Sequence, residues 1–76
     1  MNGFPTREEV LKVKEAFKPG NRVELIHMDD PYTKIPVGTK GTVRYVDDCA
    51  TIHVSWDNGS GLGVVYGEDE CVIVEE

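Results

Sequence analysis

Two histidines and two cysteines are the side chains best suited to bind a metal or act as a nucleophile. His27 and His53 each alternate with apolar residues, while Cys49 and Cys71 lie far apart and form no CxxC signature. Zinc needs three or four ligands, and the sequence around these residues does not supply them. Cys49 directly follows two aspartates, whose negative charge disfavours a thiolate. We therefore expect no metal site and no cofactor.

Two pairs of adjacent aspartates have the residue types used in acid–base catalysis. Asp29 and Asp30 follow one β-rich run, and Asp47 and Asp48 follow another. At strand ends, aspartate is more typical of turns, because its side chain bonds the backbone two residues further on. We interpret both pairs as turn formers and expect no enzymatic activity.

Trp56 is the single tryptophan, and it has two interpretations. It ends an alternating run and precedes an Asp-Asn-Gly turn sequence, as the core tryptophan of a small barrel would. At a barrel rim it would instead form, with two tyrosines, an aromatic groove of the kind that binds proline-rich or extended peptides. Aspartates around this groove would select a basic residue in the partner. The predicted partner-binding residues are Tyr32, Trp56, Tyr66, Asp29, Asp30 and Asp57.

The leading functional prediction is therefore a non-catalytic module that recognises a peptide or protein partner through barrel loops. Nucleic-acid binding is the alternative, with Tyr45 available to stack on a base. The basic residues on that side would be Arg22, Lys34, Lys40 and Arg44. A sequence pI of about 4.8 disfavours this alternative, because a domain-wide basic footprint is missing.

Charge is divided unevenly along the chain. The net charge is −6, and all eight lysines and arginines lie within residues 7–44. From residue 45 onward there are eight acidic residues and no basic one. This division predicts either simple solubility or a surface whose acidic side meets a basic partner. In a third functional interpretation, the acidic half imitates the phosphate backbone and occupies a DNA-binding protein.

A short amphipathic helix is predicted over residues 6–18. Thr6 and Glu9 have the spacing of a capping box. Val10, Val13 and Phe17 fall on one stripe at helical period, and a Pro-Gly sequence follows. Because so short a helix is marginal alone, the stripe must pack on an open end of the β structure.

Five short strands are predicted after the helix. Their predicted bounds are residues 22–28, 42–46, 51–56, 62–66 and 71–74, with a one-turn, 3₁₀-like connection over residues 67–70. Near-regular spacing and Gly-rich turns are typical of a small closed barrel. Val72 and Val74 are predicted to point inward. The predicted fold is mainly β, an SH3-like five-stranded small barrel over residues 21–75 with one N-terminal helix.

Chain length and hydropathy limit the remaining possibilities. Seventy-six residues predict one domain over residues 1–76. No apolar run reaches the roughly 18 residues of a membrane span, and the first residues do not resemble a signal peptide. We therefore expect a cytoplasmic protein without membrane association, and a monomer.

Several motifs together resemble one known family. They are GNRVELI at residues 20–26, MDDP at 28–31, PVGTKGTV at 36–43, VDD at 46–48, IHVSWDNG at 52–59 and LG at 62–63. This set resembles a bacterial and phage family known as a domain of unknown function, number 4314 of its series. The resemblance implies an SH3-like barrel and a cytoplasmic, often phage-associated setting, and it implies no activity. More loosely, the chain is similar to KOW and Tudor modules, although it shows no evident Tudor-type aromatic cage.

Overall fold

One antiparallel sheet of five strands follows a single N-terminal helix in the computed structural model, which describes residues 5–29 and 35–75. The elements are α1 (Arg7–Ala16), β1 (Arg22–His27), β2 (Lys40–Val46), β3 (Ile52–Trp56), β4 (Gly63–Val64) and β5 (Glu70–Ile73). The order across the sheet is β4-β3-β2-β1-β5. The predicted mainly β class, with five strands after one helix, is confirmed.

The two edge strands of the sheet do not meet. β4 pairs with β3 and β5 pairs with β1, and within the described ranges no pairing joins β4 to β5. β4 is two residues long because the chain turns directly after it. The Val65 carbonyl accepts hydrogen bonds from the N–H groups of Glu68 and Asp69, at 3.1 and 2.9 Å. A closed, SH3-like barrel is therefore not confirmed. The predicted one-turn connection between the last two strands is present as a turn and not as a 3₁₀ helix.

Helix α1 begins with the predicted capping box. The Thr6 hydroxyl accepts a hydrogen bond from the Glu9 N–H at 3.1 Å, and the Glu9 carboxylate accepts one from the Thr6 N–H at 2.7 Å. The predicted apolar stripe is also confirmed, because Val10 and Val13 are buried and Phe17 is partly buried against the same core.

The helix is shorter than predicted at its C-terminal end. It ends at Ala16 because Phe17 takes an extended backbone conformation, with φ −122° and ψ 90°. No helix in the described ranges has the length and apolar content that crossing a bilayer requires.

Trp56 lies in the core. Only 3% of its surface is exposed, and its indole N–H donates a hydrogen bond to the Leu62 carbonyl oxygen at 2.8 Å. Gly41 pairs with it across β2 and β3. The same core contains the fully buried side chains of Val23, Leu25, Val43, Val54 and Val64. The core interpretation of Trp56 is therefore correct, and the rim interpretation is wrong, because a buried ring offers no face to a partner.

The side chains of β5 that face the core are not the ones that were predicted to do so. Cys71 is 6% exposed, whereas Val72 is 38% exposed and Val74 is half-buried. The register pairs Cys71 with the fully buried Leu25. Because side chains alternate along a strand, Val72 must then face outward. The prediction that Val72 points inward is wrong.

Candidate functional site

The predicted partner-binding residues do not share one surface in the part of the chain that the structure describes. Trp56 is buried, and Asp57 follows it at the end of β3. Both Asp57 carboxylate oxygens accept hydrogen bonds from the Arg22 guanidinium, at 2.9 and 2.6 Å. Tyr66 lies toward the opposite end of β3, because β4 pairs with the first two residues of that strand.

The remaining predicted residues do not restore an aromatic groove around Trp56. Asp29 is exposed, and its backbone N–H donates a hydrogen bond to the Asp69 carboxylate at 2.8 Å. Tyr32 and Asp30 lie outside the described residues. Two residues of the predicted set share one feature, the loop that joins β4 to β5: Tyr66 lies in this loop, and Asp29 is hydrogen-bonded to it.

A groove of about 550 Å³ lies at this end of the sheet, beside α1. We call it the end groove. Its floor is apolar and is formed by Val13, Phe17, Ala50, Ile52, Val64 and Cys71. Its rim is formed by His27, Tyr66, Gly67, Glu68, Asp69 and Glu70. The floor side chains are core residues seen from one end, so the groove is an opening onto the hydrophobic core.

Strand register assembles the end groove from distant parts of the chain. Ile52 pairs with Val64 across β3 and β4, and His27 pairs with Glu70 across β1 and β5. β4 and β5 lie at opposite edges of the sheet. The loop that connects them, residues 65–69, forms one wall of the groove. Val13, in the second half of α1, contributes to the floor.

Asp69 holds the loop between β4 and β5 in place. One of its carboxylate oxygens accepts the Asp29 N–H at 2.8 Å, and the other accepts the Val65 N–H at 2.9 Å. The turn also uses Gly67 at φ +85°, a conformation that favours glycine. This wall of the end groove is therefore fixed by hydrogen bonds, and Asp69 has a structural role in it.

Tyr66 connects this loop to the helix. Its hydroxyl donates a hydrogen bond to the Glu9 carboxylate at 3.3 Å, and its side chain is 42% exposed. The negative charge of Glu9 raises the pKa of Tyr66 above the usual 10.0. The Thr6 N–H in turn lowers the pKa of Glu9. The exposed Tyr66 ring thus stands at the rim, tethered to α1.

Cys71 contributes hydrocarbon-like surface to the floor. Burial, reinforced by the Glu70 carboxylate, raises the pKa of its thiol to about 11. The thiol is therefore protonated at neutral pH, and a protonated thiol is a poor nucleophile.

The rim of the end groove is acidic. Glu68, Asp69 and Glu70 are consecutive, and the described lining includes His27 but no lysine or arginine. Glu68 and Glu70 are exposed, and neither forms an ion pair with any other described residue. The groove therefore combines an apolar floor with a negative rim.

A second cluster, not predicted from the sequence, lies on the outer face of β2 and β3. Tyr45 stacks on His53 with ring centroids 4.4 Å apart and an interplanar angle of 12°. Asp47 accepts a hydrogen bond from His53 at 2.8 Å and from the N–H groups of Cys49 and Thr51, each at 2.9 Å. Burial raises the pKa of Asp47, but these hydrogen bonds outweigh it and the pKa falls below the usual 3.8.

This cluster is explained by turn and sheet structure. Asp47 closes the β2–β3 turn as an Asx residue, which the sequence signalled, and His53 lies across the strands from Tyr45. Of the basic residues predicted beside Tyr45, Arg22 is bound to Asp57 and Lys34 lies outside the described residues. Across residues 5–29 and 35–75, no group of three or more His, Cys, Asp or Glu is placed to hold a metal ion.

The architecture defines a small antiparallel sheet domain with a helix and an apolar groove at one end. A family model described as a domain of unknown function, DUF4314, matches residues 6–74, and the chain belongs to that family. The family predicted from the motifs is therefore confirmed. No curated protein and no solved structure matches the chain.

Proposed function

We propose that the protein is a non-catalytic binding module whose end groove takes up an apolar side chain of a peptide or protein partner. The observation that carries this proposal is a groove of about 550 Å³ with an apolar floor, in which Phe17 is partly exposed and the other floor residues are buried. Binding pockets typically measure ~300–1,000 Å³ and are lined mainly by apolar and aromatic side chains. Filling the groove would remove the partly exposed Phe17 and the exposed Tyr66 ring from water, which favours binding.

The chemistry of the floor favours an apolar group over a polar metabolite. Pockets for polar small molecules place several hydrogen-bonding groups inside, where they fix the orientation of the ligand. No polar or charged side chain is buried among the residues that the structure describes. Polar groups occur only at the rim, where they can select what flanks an apolar anchor.

The rim charges favour a protein segment over nucleic acid. Three consecutive carboxylates, at residues 68–70, border the end groove, and they would repel a phosphate backbone. On the outer face of the sheet, the Arg22 guanidinium is already bound by Asp57. The exposed Tyr45 ring is the main feature that still supports the nucleic-acid alternative.

The end groove is also held in shape before any partner binds. Asp69 fixes the loop wall through two side-chain hydrogen bonds, and the Tyr66 hydroxyl joins that loop to α1. A pre-formed site spends less binding free energy on ordering its own side chains and loops. This supports direct docking of a short segment.

Selection from a random peptide library displayed on phage, with the full chain as bait, tests the proposal. Selected peptides should share an apolar residue, and a fluorescent copy of one should bind the wild type measurably by anisotropy. Tyr66→Ser removes an exposed rim aromatic and should weaken binding about tenfold, as expected for an aromatic at a binding site.

The matched control is Tyr45→Ser, which removes an equally exposed tyrosine, 48% against 42%, from the outer face of the sheet. It should leave the affinity for the peptide within twofold of the wild type. Loss of binding with Tyr45→Ser but not Tyr66→Ser would refute the end groove as the site. Binding of a single-stranded DNA oligonucleotide that is lost with Tyr45→Ser, with no peptide selected, would favour the nucleic-acid alternative.

A further inference from the structure

We infer that the segment bound in the end groove carries a lysine or arginine next to its apolar anchor. This inference rests on the proposed function, because it specifies the partner of the same groove. It draws on the charges around the floor and on the side chains that could meet a partner's flanking residues.

The first support is the unbalanced charge at the rim. The Glu68 and Glu70 carboxylates are exposed and have no ion-pair partner among the described residues. Two acids outside the groove lining, by contrast, have such partners: Asp48 pairs with Lys14 at 2.9 Å, and Asp57 pairs with Arg22 at 2.6 Å. An occupant with a positive group would complete the pairing that this rim lacks.

The second support is the aromatic side chain beside these carboxylates. The Tyr66 ring is exposed and lies two residues before Glu68 in the same tight turn. A cation over an aromatic face is attracted by the ring quadrupole, in addition to the attraction of nearby carboxylates. An ammonium or guanidinium group close to Tyr66 would therefore be attracted both by the face of the ring and by the neighbouring carboxylates.

The third support is the separation of the two kinds of contact. The floor is apolar, so a charged head group would lose its hydration there without compensation. Lysine and arginine keep their charge at a polar border while their stems cover apolar surface. The groove thus fits an apolar side chain on the floor and a neighbouring basic side chain at the rim.

The test uses the library selection and measures charge directly. Peptides that bind the end groove should be enriched in Lys or Arg within two positions of the shared apolar residue. The double variant Glu68→Gln with Glu70→Gln should weaken binding of a selected peptide about three- to tenfold, the effect of losing two exposed ion pairs. Raising the salt from 50 to 300 mM should weaken wild-type binding more than it weakens binding to the double variant.

The matched control removes the same two charges away from the groove. Glu15→Gln with Glu75→Gln changes two exposed carboxylates outside its lining, and it should leave the affinity within twofold. Equal weakening by both double variants would overturn the inference, because net charge alone would then explain the effect. Peptides sensitive to Tyr66→Ser but neutral or acidic in composition would also overturn it, while leaving the proposed function standing. Failure of the proposed function is distinct, since no peptide would then depend on Tyr66.

Discussion

Replacing Gly41 by alanine is the substitution whose cost the structure defines most closely. Gly41 lies on β2 opposite Trp56, and it faces the core. A Cβ atom built there would stand 2.6 Å from a Val54 methyl carbon, 2.8 Å from the Ser55 carbonyl oxygen and 2.9 Å from an indole carbon of Trp56. The absent side chain is what lets the tryptophan pack against β2.

The expected loss of stability depends on which of these three neighbours can move away from the added Cβ atom. The Val54 methyl and the indole can shift, but the Ser55 carbonyl belongs to the backbone of the paired strand β3. Overpacking of this kind costs about 1–3 kcal/mol. Gly→Ala also restricts the unfolded chain, which offsets about 0.4–1 kcal/mol of that cost. We expect a net loss of about 1–2 kcal/mol, a large fraction of the roughly 3–5 kcal/mol available to a domain of this size.

Urea unfolding followed by Trp56 fluorescence measures this loss. Gly61→Ala is the matched control, because nothing lies within 4 Å of its added Cβ and its φ is not in the left-handed region. The control should stay within about 0.5 kcal/mol of the wild type or gain slightly. If Gly41→Ala proves as stable as Gly61→Ala, the close packing of Trp56 against β2 is refuted.

Three further predictions concern titrating groups. The pKa of Asp47 is depressed in the folded state. Its contribution to stability is therefore present above about pH 4 and is lost as the pH falls through its folded pKa. Asp47→Asn should flatten the acid side of the plot of unfolding free energy against pH, and an unchanged plot would contradict this. At pH 8 an alkylating reagent should modify the exposed Cys49 quickly and the buried Cys71 only on unfolding, whereas two equally fast labels would show that Cys71 is accessible. Removing the charge with Glu9→Gln should lower the pKa of Tyr66, which NMR titration of the ring carbons measures, and no change would mean that the hydrogen bond does not persist in solution.

Local features could be predicted from the sequence because each depends on residues close together in the chain. The capping box of Thr6 and Glu9, and the stripe of Val10 and Val13, were correct for this reason. The family motifs were also sufficient to identify the family. By contrast, the alternation that ends in Trp56 indicates an inward side chain, but the pattern alone does not separate a core position from one at a barrel rim.

The end groove could not be predicted, because strand register creates it. Its lining comes from α1 and the residue after it, the ends of four strands, the β2–β3 connection and the β4–β5 loop, and no sequence interval brings these parts together. β4 is also shorter than predicted. Residues 62–66 have the alternation of a strand, but the Val65 carbonyl accepts hydrogen bonds from Glu68 and Asp69 within a turn and not from a neighbouring strand. The predicted closed barrel was based on the spacing of the strands and on the turns, which do not determine whether β4 and β5 pair.

The most direct test of the end groove is an NMR titration of the ¹⁵N-labelled full chain with a library-selected peptide. Binding should shift the amide signals of Ile52, Val64 and Cys71, with those of the loop at residues 65–69, and leave those of Thr42 and Tyr45 in place. Shifts confined to the outer face of β2 and β3, with the groove amides unmoved, would contradict the account.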